Sequence, residues 1–264
     1  MDQKVAVVTG ESSGIGRETA RSLARSGVKV YGFSRRNTDD PDIRHISVDV
    51  SDELCVNRAV SEVLELEGHI DILVCCAGFG ISGAAEFTDL SDAKRQIDVN
   101  FFGSFICTKA VLPAMRRQGS GRIVLTSSVA GPVPIPFQAF YSASKAAINS
   151  YAMSLANEVR PYGISVCAVQ PGDIASGFTD ARNKSFEGDK EYGGRISASV
   201  KVMEHDERTG MKPSEAGQYI AGLALRPKVK PLYAIGFKYK FFCALMKALP
   251  CRLSNYLIGM IYAK

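Results

Sequence analysis

Short runs rich in apolar, mostly β-branched residues alternate along the chain with longer stretches in which apolar side chains recur every three or four positions. The short runs are Val5–Val8, Val28–Phe33, Ile46–Val48, Ile70–Cys75, Arg122–Thr126, Ser165–Val169 and Leu232–Ile235. The longer period, one face of an α-helix, marks Ile15–Ser26, Asp52–Glu67, Ser91–Gln118 and Tyr141–Tyr162. Strands that are apolar throughout need cover on both faces, as the strands of a parallel sheet do. The alternation therefore predicts an α/β fold: an open, doubly wound parallel sheet of about seven strands with helices on both faces. The rhythm breaks once, over residues 176–213, which are polar, charged and interrupted by glycines. That segment follows the sixth strand, at the carboxyl edge where such sheets bind ligands, so it is either a lid over a substrate or a solvated surface excursion.

Composition narrows the class. The 264 residues, 46% hydrophobic and 22% charged, suit a single soluble domain spanning 1–264, and a net charge of +5 does not point to nucleic acid. The charge is unevenly placed. No acidic residue follows Glu215, whereas eight lysines and arginines do, which leaves the rest of this +5 chain at −3. The seven cysteines lack metal-site spacing and mostly sit in apolar runs, and the three histidines form no cluster, so no metal is expected. A strand begins by residue 4, which leaves no room for a signal peptide, and no apolar run reaches membrane length; a reduced cytoplasmic setting is the expectation.

Three local patterns carry chemistry. Thr9-Gly10-Glu11-Ser12-Ser13-Gly14-Ile15-Gly16 lies between the first strand and the first helix. Glycines let a backbone turn sharply and approach a pyrophosphate, and the N–H groups of the helix's first turn then face the anion; a plain tight turn would use the same residues. The second strand ends in Ser34-Arg35-Arg36, with no carboxylate to hold a ribose 2′-hydroxyl. A guanidinium from Arg35, with a hydroxyl from Ser12 or Ser13, suits a 2′-phosphate, whereas Arg36 alone reads as a solvated basic residue. Tyr141 and Lys145 are four residues apart on a helix and so share a face. An ammonium beside the phenol, helped by an oxidised nicotinamide, would bring its pKa toward the working range. Ser128, at the end of the fifth strand run, has a hydroxyl placed to donate to a carbonyl oxygen, though a strand-end serine is also an ordinary turn residue.

Together these residues resemble the short-chain dehydrogenase/reductase family, over essentially the whole chain, and the resemblance implies a Rossmann-type fold. It identifies Gly10, Gly14, Ile15 and Gly16 with the family's glycine motif, Asp49 and Val50 with its adenine-contacting pair, and Asn100, Ser128, Tyr141 and Lys145 with its catalytic four. It implies that Ala77 and Gly78 line the cofactor, that Pro171 and Gly172 form the turn after the sixth strand, and that Ile174 and Ser176 hold the carboxamide. The implied chemistry is hydride transfer with NADP(H): Ser128 polarises a carbonyl, Tyr141 exchanges the proton, Lys145 tunes Tyr141 and holds the ribose, and Asn100 positions a relay water. Cys75-Cys76 stands where the family has Asn-Asn, which implies a local loss of bracing but not of chemistry.

Loop, strand end and tail further resemble the 17β-hydroxysteroid-dehydrogenase-like branch, which implies a small hydrophobic carbonyl or alcohol substrate such as a steroid. Phe79, Ile81, Val129, Val133, Pro134, Ile135, Phe137 and Phe178 suit such a substrate, or simple core. The alternatives are an NAD-dependent alcohol dehydrogenase of another substrate class and a non-catalytic cofactor-sensing protein. Family members are often homodimers or homotetramers through the helices bearing Asn100 and Tyr141. The basic, apolar tail 236–264 reads as two short helices split at Pro250. It would form a hairpin on its own domain or a partner subunit, a flap over the substrate, or a peripheral membrane contact.

Overall fold

The first strand, β1 (Val5–Thr9), is buried at every position, because it lies in the middle of a sheet covered on both faces. The structure, a computed structural model, describes residues 3–263; Met1, Asp2 and Lys264, the outer ends of the assigned domain and tail, lie outside the described residues. The other strands are β2 (Lys29–Ser34), β3 (Ile43–Ser47), β4 (Ile72–Cys75), β5 (Ile81–Ser82), β6 (Gly121–Thr126), β7 (Ile164–Gln170), β8 (Asn183–Lys184) and β9 (Leu232–Ala234). The helices are α1 (Gly14–Arg25), α2 (Glu53–Glu67), α3 (Leu90–Ile97), α4 (Gly103–Gln118), α5 (Ala139–Val159), α6 (Phe178–Ala181), α7 (Arg195–Arg208), α8 (Pro213–Leu225), α9 (Phe237–Ala248) and α10 (Cys251–Tyr262).

The main sheet has seven strands in the order β3-β2-β1-β4-β6-β7-β9, and every pairing in it is parallel. All seven apolar runs fall on it, the third beginning at Ile43 and not at Ile46. Successive side chains of a strand point to opposite faces, and β1 divides accordingly. Val5 and Val7 join a core with Val60 of α2, Val111 of α4 and Ile148 of α5, while Ala6 and Val8 join one with Leu23 of α1 and Ile220 of α8. The chain leaves β1 toward β2 and β3, then crosses back to β4, so the strand order reverses between β1 and β4. A crevice opens at their carboxyl ends, where such sheets bind ligands.

Two stretches depart from the expected elements. The single helix predicted over Ser91–Gln118 is two helices, α3 and α4, joined by a wider π-turn at Asp98–Phe102 that turns Asn100 inward. Residues 176–213 are not a bare excursion either. They contain α6, the strand β8 paired with β5, and α7, which buries Ile196, Ser199, Val200 and Met203. The tail forms the expected pair of helices on either side of Pro250.

Candidate active site

The glycine loop sits at the reversal point. Gly10 adopts φ +70°, and a Cβ there would lie 2.8 Å from the Ala77 nitrogen; one on Gly16 would lie 2.3 Å from the Gly10 oxygen. Only glycine permits this approach of loop, helix and neighbouring strand. Ser12, Ser13, Gly14 and Ile15 line one wall of a cleft of about 1040 Å³, with the start of α1 behind them. Ser13, at the helix cap position, makes no side-chain capping bond, so its hydroxyl is not committed to the helix.

At the end of β2, Ser34, Arg35 and Arg36 line the cleft, with both arginines exposed. Glu11 is turned the other way. It is wholly buried, and its Oε1 accepts from the Ser34 hydroxyl at 2.9 Å and lies 2.7 Å from His45 Nδ1. Gly32 makes room for it, since a Cβ there would meet the Glu11 Cγ at 2.3 Å. No carboxylate from the end of β2 therefore lines the cleft there, whereas Arg35 does. Asp49 and Val50 line the adjoining wall. The Ser51 hydroxyl, 2.6 Å from Asp49 Oδ1, holds that carboxyl below its usual range, and Arg35 and Arg95 act in the same direction.

At the inner end β6 delivers Ser128 and α5 delivers Tyr141 and Lys145, all on the cleft wall. The Ser127 hydroxyl donates to the Lys145 carbonyl at 2.9 Å and ties the two elements together. Ser128 Oγ accepts from the Ala130 N–H at 3.1 Å, which leaves its own proton for an acceptor in the cleft. Ser128 lies beside the Tyr141 hydroxyl and acts to lower its pKa, and the Tyr141 ring leans on Phe178 at 5.8 Å between centroids. Lys145 Nζ lies 5.6 Å from the Tyr141 ring centre and donates to the Thr126 carbonyl at 2.8 Å. Burial pushes the Tyr141 hydroxyl up to about 12 and the Lys145 ammonium down to about 8. The lowering of Tyr141 expected from the sequence is thus not supplied by Lys145 alone, because the desolvation that weakens the ammonium also penalises the phenolate.

Asn100 is buried behind this group and does not line the cleft. Its Nδ2 donates to the Phe79 carbonyl at 3.0 Å and to Ser144 Oγ at 3.1 Å, and its Oδ1 accepts from the Phe79 N–H at 3.0 Å. Its side chain braces the loop that carries Ala77 and Gly78 along the cleft. Thr9 supplies further bracing beside Cys75-Cys76, its hydroxyl accepting from the N–H groups of Cys76 and Ala77, both at 3.1 Å.

Pro171, Gly172, Ile174 and Ser176 form the opposite wall, and Ser176 faces Gly14 across it. Of the apolar residues named for the substrate, Phe79, Val129, Ile135 and Phe178 line the cleft, whereas Ile81, Val133, Pro134 and Phe137 do not. Two polar clusters here had no clear mark in the sequence. Asp173 accepts from the Tyr239 hydroxyl at 2.6 Å, and burial raises its carboxyl. Glu207 pairs with Arg182 and accepts from Thr179 Oγ1 at 2.7 Å. Both join residues distant in the chain, so no local motif announces them. The Glu11–Ser34–His45 group did leave one signal, a glycine inside the strand run VYGFS.

Residues 4–187 match the family model described as short chain dehydrogenase. The chain is 38% identical to the 3-ketodihydrosphingosine reductase of Bacteroides thetaiotaomicron, with 100% of this chain and 99% of that protein covered. It is 32% identical to the probable short-chain type dehydrogenase/reductase VdlC of Helicobacter pylori, with 93% of each covered. A crystal structure of a short-chain dehydrogenase from Streptomyces avermitilis superposes with a TM-score of 0.85 at 30% identity, over 97% of this chain and 96% of that one.

Proposed function

The chain belongs to the short-chain dehydrogenase family and is an oxidoreductase, and from that premise we propose that it uses NADP(H) to reduce the ketone of an apolar substrate, a 3-keto sphingoid base in its sharpest form. The observation that carries the reading is the inner end of the cleft, where the half-buried Tyr141 lies beside Ser128 with Lys145 Nζ 5.6 Å from its ring centre. Arg35 on the wall, with Glu11 turned away from it, supports a 2′-phosphorylated cofactor. The long-chain ketone is supported by the 3-ketodihydrosphingosine reductase relative and by the apolar wall of Phe79, Val129, Ile135 and Phe178.

Reduced nicotinamide, when bound, supplies the hydride. The chain's own residues handle the oxygen and the proton. Ser128 Oγ donates to the carbonyl oxygen, and Tyr141, a neutral phenol at working pH, gives that oxygen its proton as negative charge develops. Lys145, fixed on the Thr126 carbonyl, holds positive charge beside the phenolate left behind. Asn100 positions the Phe79 loop, and a water in the proton relay belongs to the same proposal. Residues 176–213 close over the substrate in this scheme, through Phe178, Asn183 and Glu207 on the cleft wall. Exposed Phe102 at the end of the π-turn, Phe105 on α4 and Met153 on α5 support assembly into a homodimer or homotetramer through these helices.

Initial rates of NADPH consumption with 3-ketosphinganine, a ketosteroid and a short aromatic ketone test the reading, each repeated with NADH. The highest kcat/KM is expected for the long-chain ketone with NADPH. Faster turnover of the steroid would displace the substrate assignment, and equal rates with NADH would displace the cofactor assignment.

A further inference from the structure

The hairpin α9–α10 carries apolar side chains on opposite faces. The inner face of α9 is committed to the domain: Cys243 is buried, and Tyr239 packs on Gly172 and donates to Asp173 on the cleft wall. Its outer face exposes Phe237 by 86%, Phe241 by 63% and Leu245 by 40%. At 3.6 residues per turn these three form one stripe, with Lys238 along one edge and Lys240 and Lys247 along the other. On α10, Leu253, Tyr256 and Met260 form a second exposed stripe, with Arg252 beside it.

We propose that this hairpin docks on an anionic lipid bilayer, its aromatic and aliphatic stripes entering the headgroup boundary and its lysines meeting lipid phosphates. Charge selects this occupant. The cores of protein interfaces are depleted of lysine, and docking α9 on a second copy of itself would bring like charges together. No acidic residue follows Glu215 to relieve them. Among the described residues no helix is long and apolar enough to cross a membrane, so the attachment is to the surface. Because the inner face of α9 rests on the Pro171–Ile174 turn, docking brings the substrate end of the cleft to the lipid. That link rests on the apolar substrate proposed above; the docking itself does not.

The test is co-sedimentation of the full chain with vesicles of about three parts phosphatidylcholine to one of phosphatidylglycerol, against phosphatidylcholine alone. The protein is expected to bind the anionic vesicles about tenfold more tightly than the neutral ones. Phe237→Gln/Phe241→Gln and Lys238→Glu/Lys240→Glu/Lys247→Glu should each lose about tenfold in that affinity. Turnover of a water-soluble ketone should be unchanged in both, which verifies their folding. Absent binding to anionic vesicles, or undiminished binding by the phenylalanine variant, overturns the proposal. So does size-exclusion chromatography in which the wild type is a dimer that those phenylalanine changes dissociate. Vesicle binding without turnover of any ketone would leave the docking standing and remove the proposed reaction, and turnover without vesicle binding would do the reverse.

Discussion

Tyr141 and Lys145 share one helical face and one environment, and burial moves both toward their neutral forms. A phenol held near 12 stays protonated at neutral pH. Tyr141→Phe removes only the hydroxyl. It is expected to lower kcat by about 10³-fold while NADPH affinity, read by fluorescence titration, changes little. For Lys145 the folded pKa of about 8 lies below the ordinary value of 10.5, so between these pH values the unfolded chain binds more protons. Stability therefore rises with pH across that window, and the burial penalty is present in full below it. Lys145→Met should raise the melting temperature of the cofactor-free protein at pH 7, by up to about 10 °C less what the lost bond to the Thr126 carbonyl takes back. The advantage should shrink as pH rises from 8 toward 10.5. Thermal melts of both proteins across that range check the sign, and a variant that melts lower at pH 7 contradicts it.

At the scale of elements, the end of β2 is set by what lies beneath it. Glu11 occupies the space left by Gly32 and takes the Ser34 hydroxyl, which keeps a carboxylate off the cleft wall and leaves Arg35 facing it. Gly32→Ala drives a methyl group into the Glu11 side chain, at 2.3 Å from Cγ and 2.6 Å from Cδ. Destabilisation of about 1–3 kcal/mol is expected in urea unfolding. Shortening the acid in the double variant Gly32→Ala/Glu11→Ala should recover part of that loss, and no recovery would mean that the clash lies elsewhere. The strand and the glycine loop were legible because each is a local pattern. The role of Glu11 was not, since its partners Ser34 and His45 come from two other strands and meet it only in the folded sheet. The π-turn at Asn100 was likewise invisible, because the apolar period runs through it unbroken and the break depends on Asn100 reaching Phe79 and Ser144.

Across the whole molecule, the sheet reversal brings four distant segments to one crevice: the glycine loop, the end of β2, the Ser128–Tyr141–Lys145 group and the Pro171–Ser176 wall. A ligand touching all four ties both halves of the sheet together. NADPH at about 100 times its dissociation constant should add about 2.7 kcal/mol of stability, a rise of about 5–10 °C in melting temperature. In Arg35→Asp the shift with NADPH should fall sharply while that with NADH is kept or grows. Equal NADPH shifts in the two proteins would remove Arg35 from the 2′ site.

The sequence alone determined the strands, the main helices, the parallel sheet and the residues that meet at its carboxyl edge. The elements follow from short-range periodicity, the glycine loop and the Tyr141–Lys145 pair from motifs a few residues long, and the remaining edge residues from the family resemblance, while a parallel sheet leaves little freedom in how such pieces assemble. Tertiary structure alone decided which way each buried polar group turned: Glu11 inward, Asn100 onto Phe79, Arg182 onto Glu207 and Tyr239 onto Asp173. A buried polar group must find a partner, and where that partner lies many residues away only the completed fold brings the two within hydrogen-bonding distance.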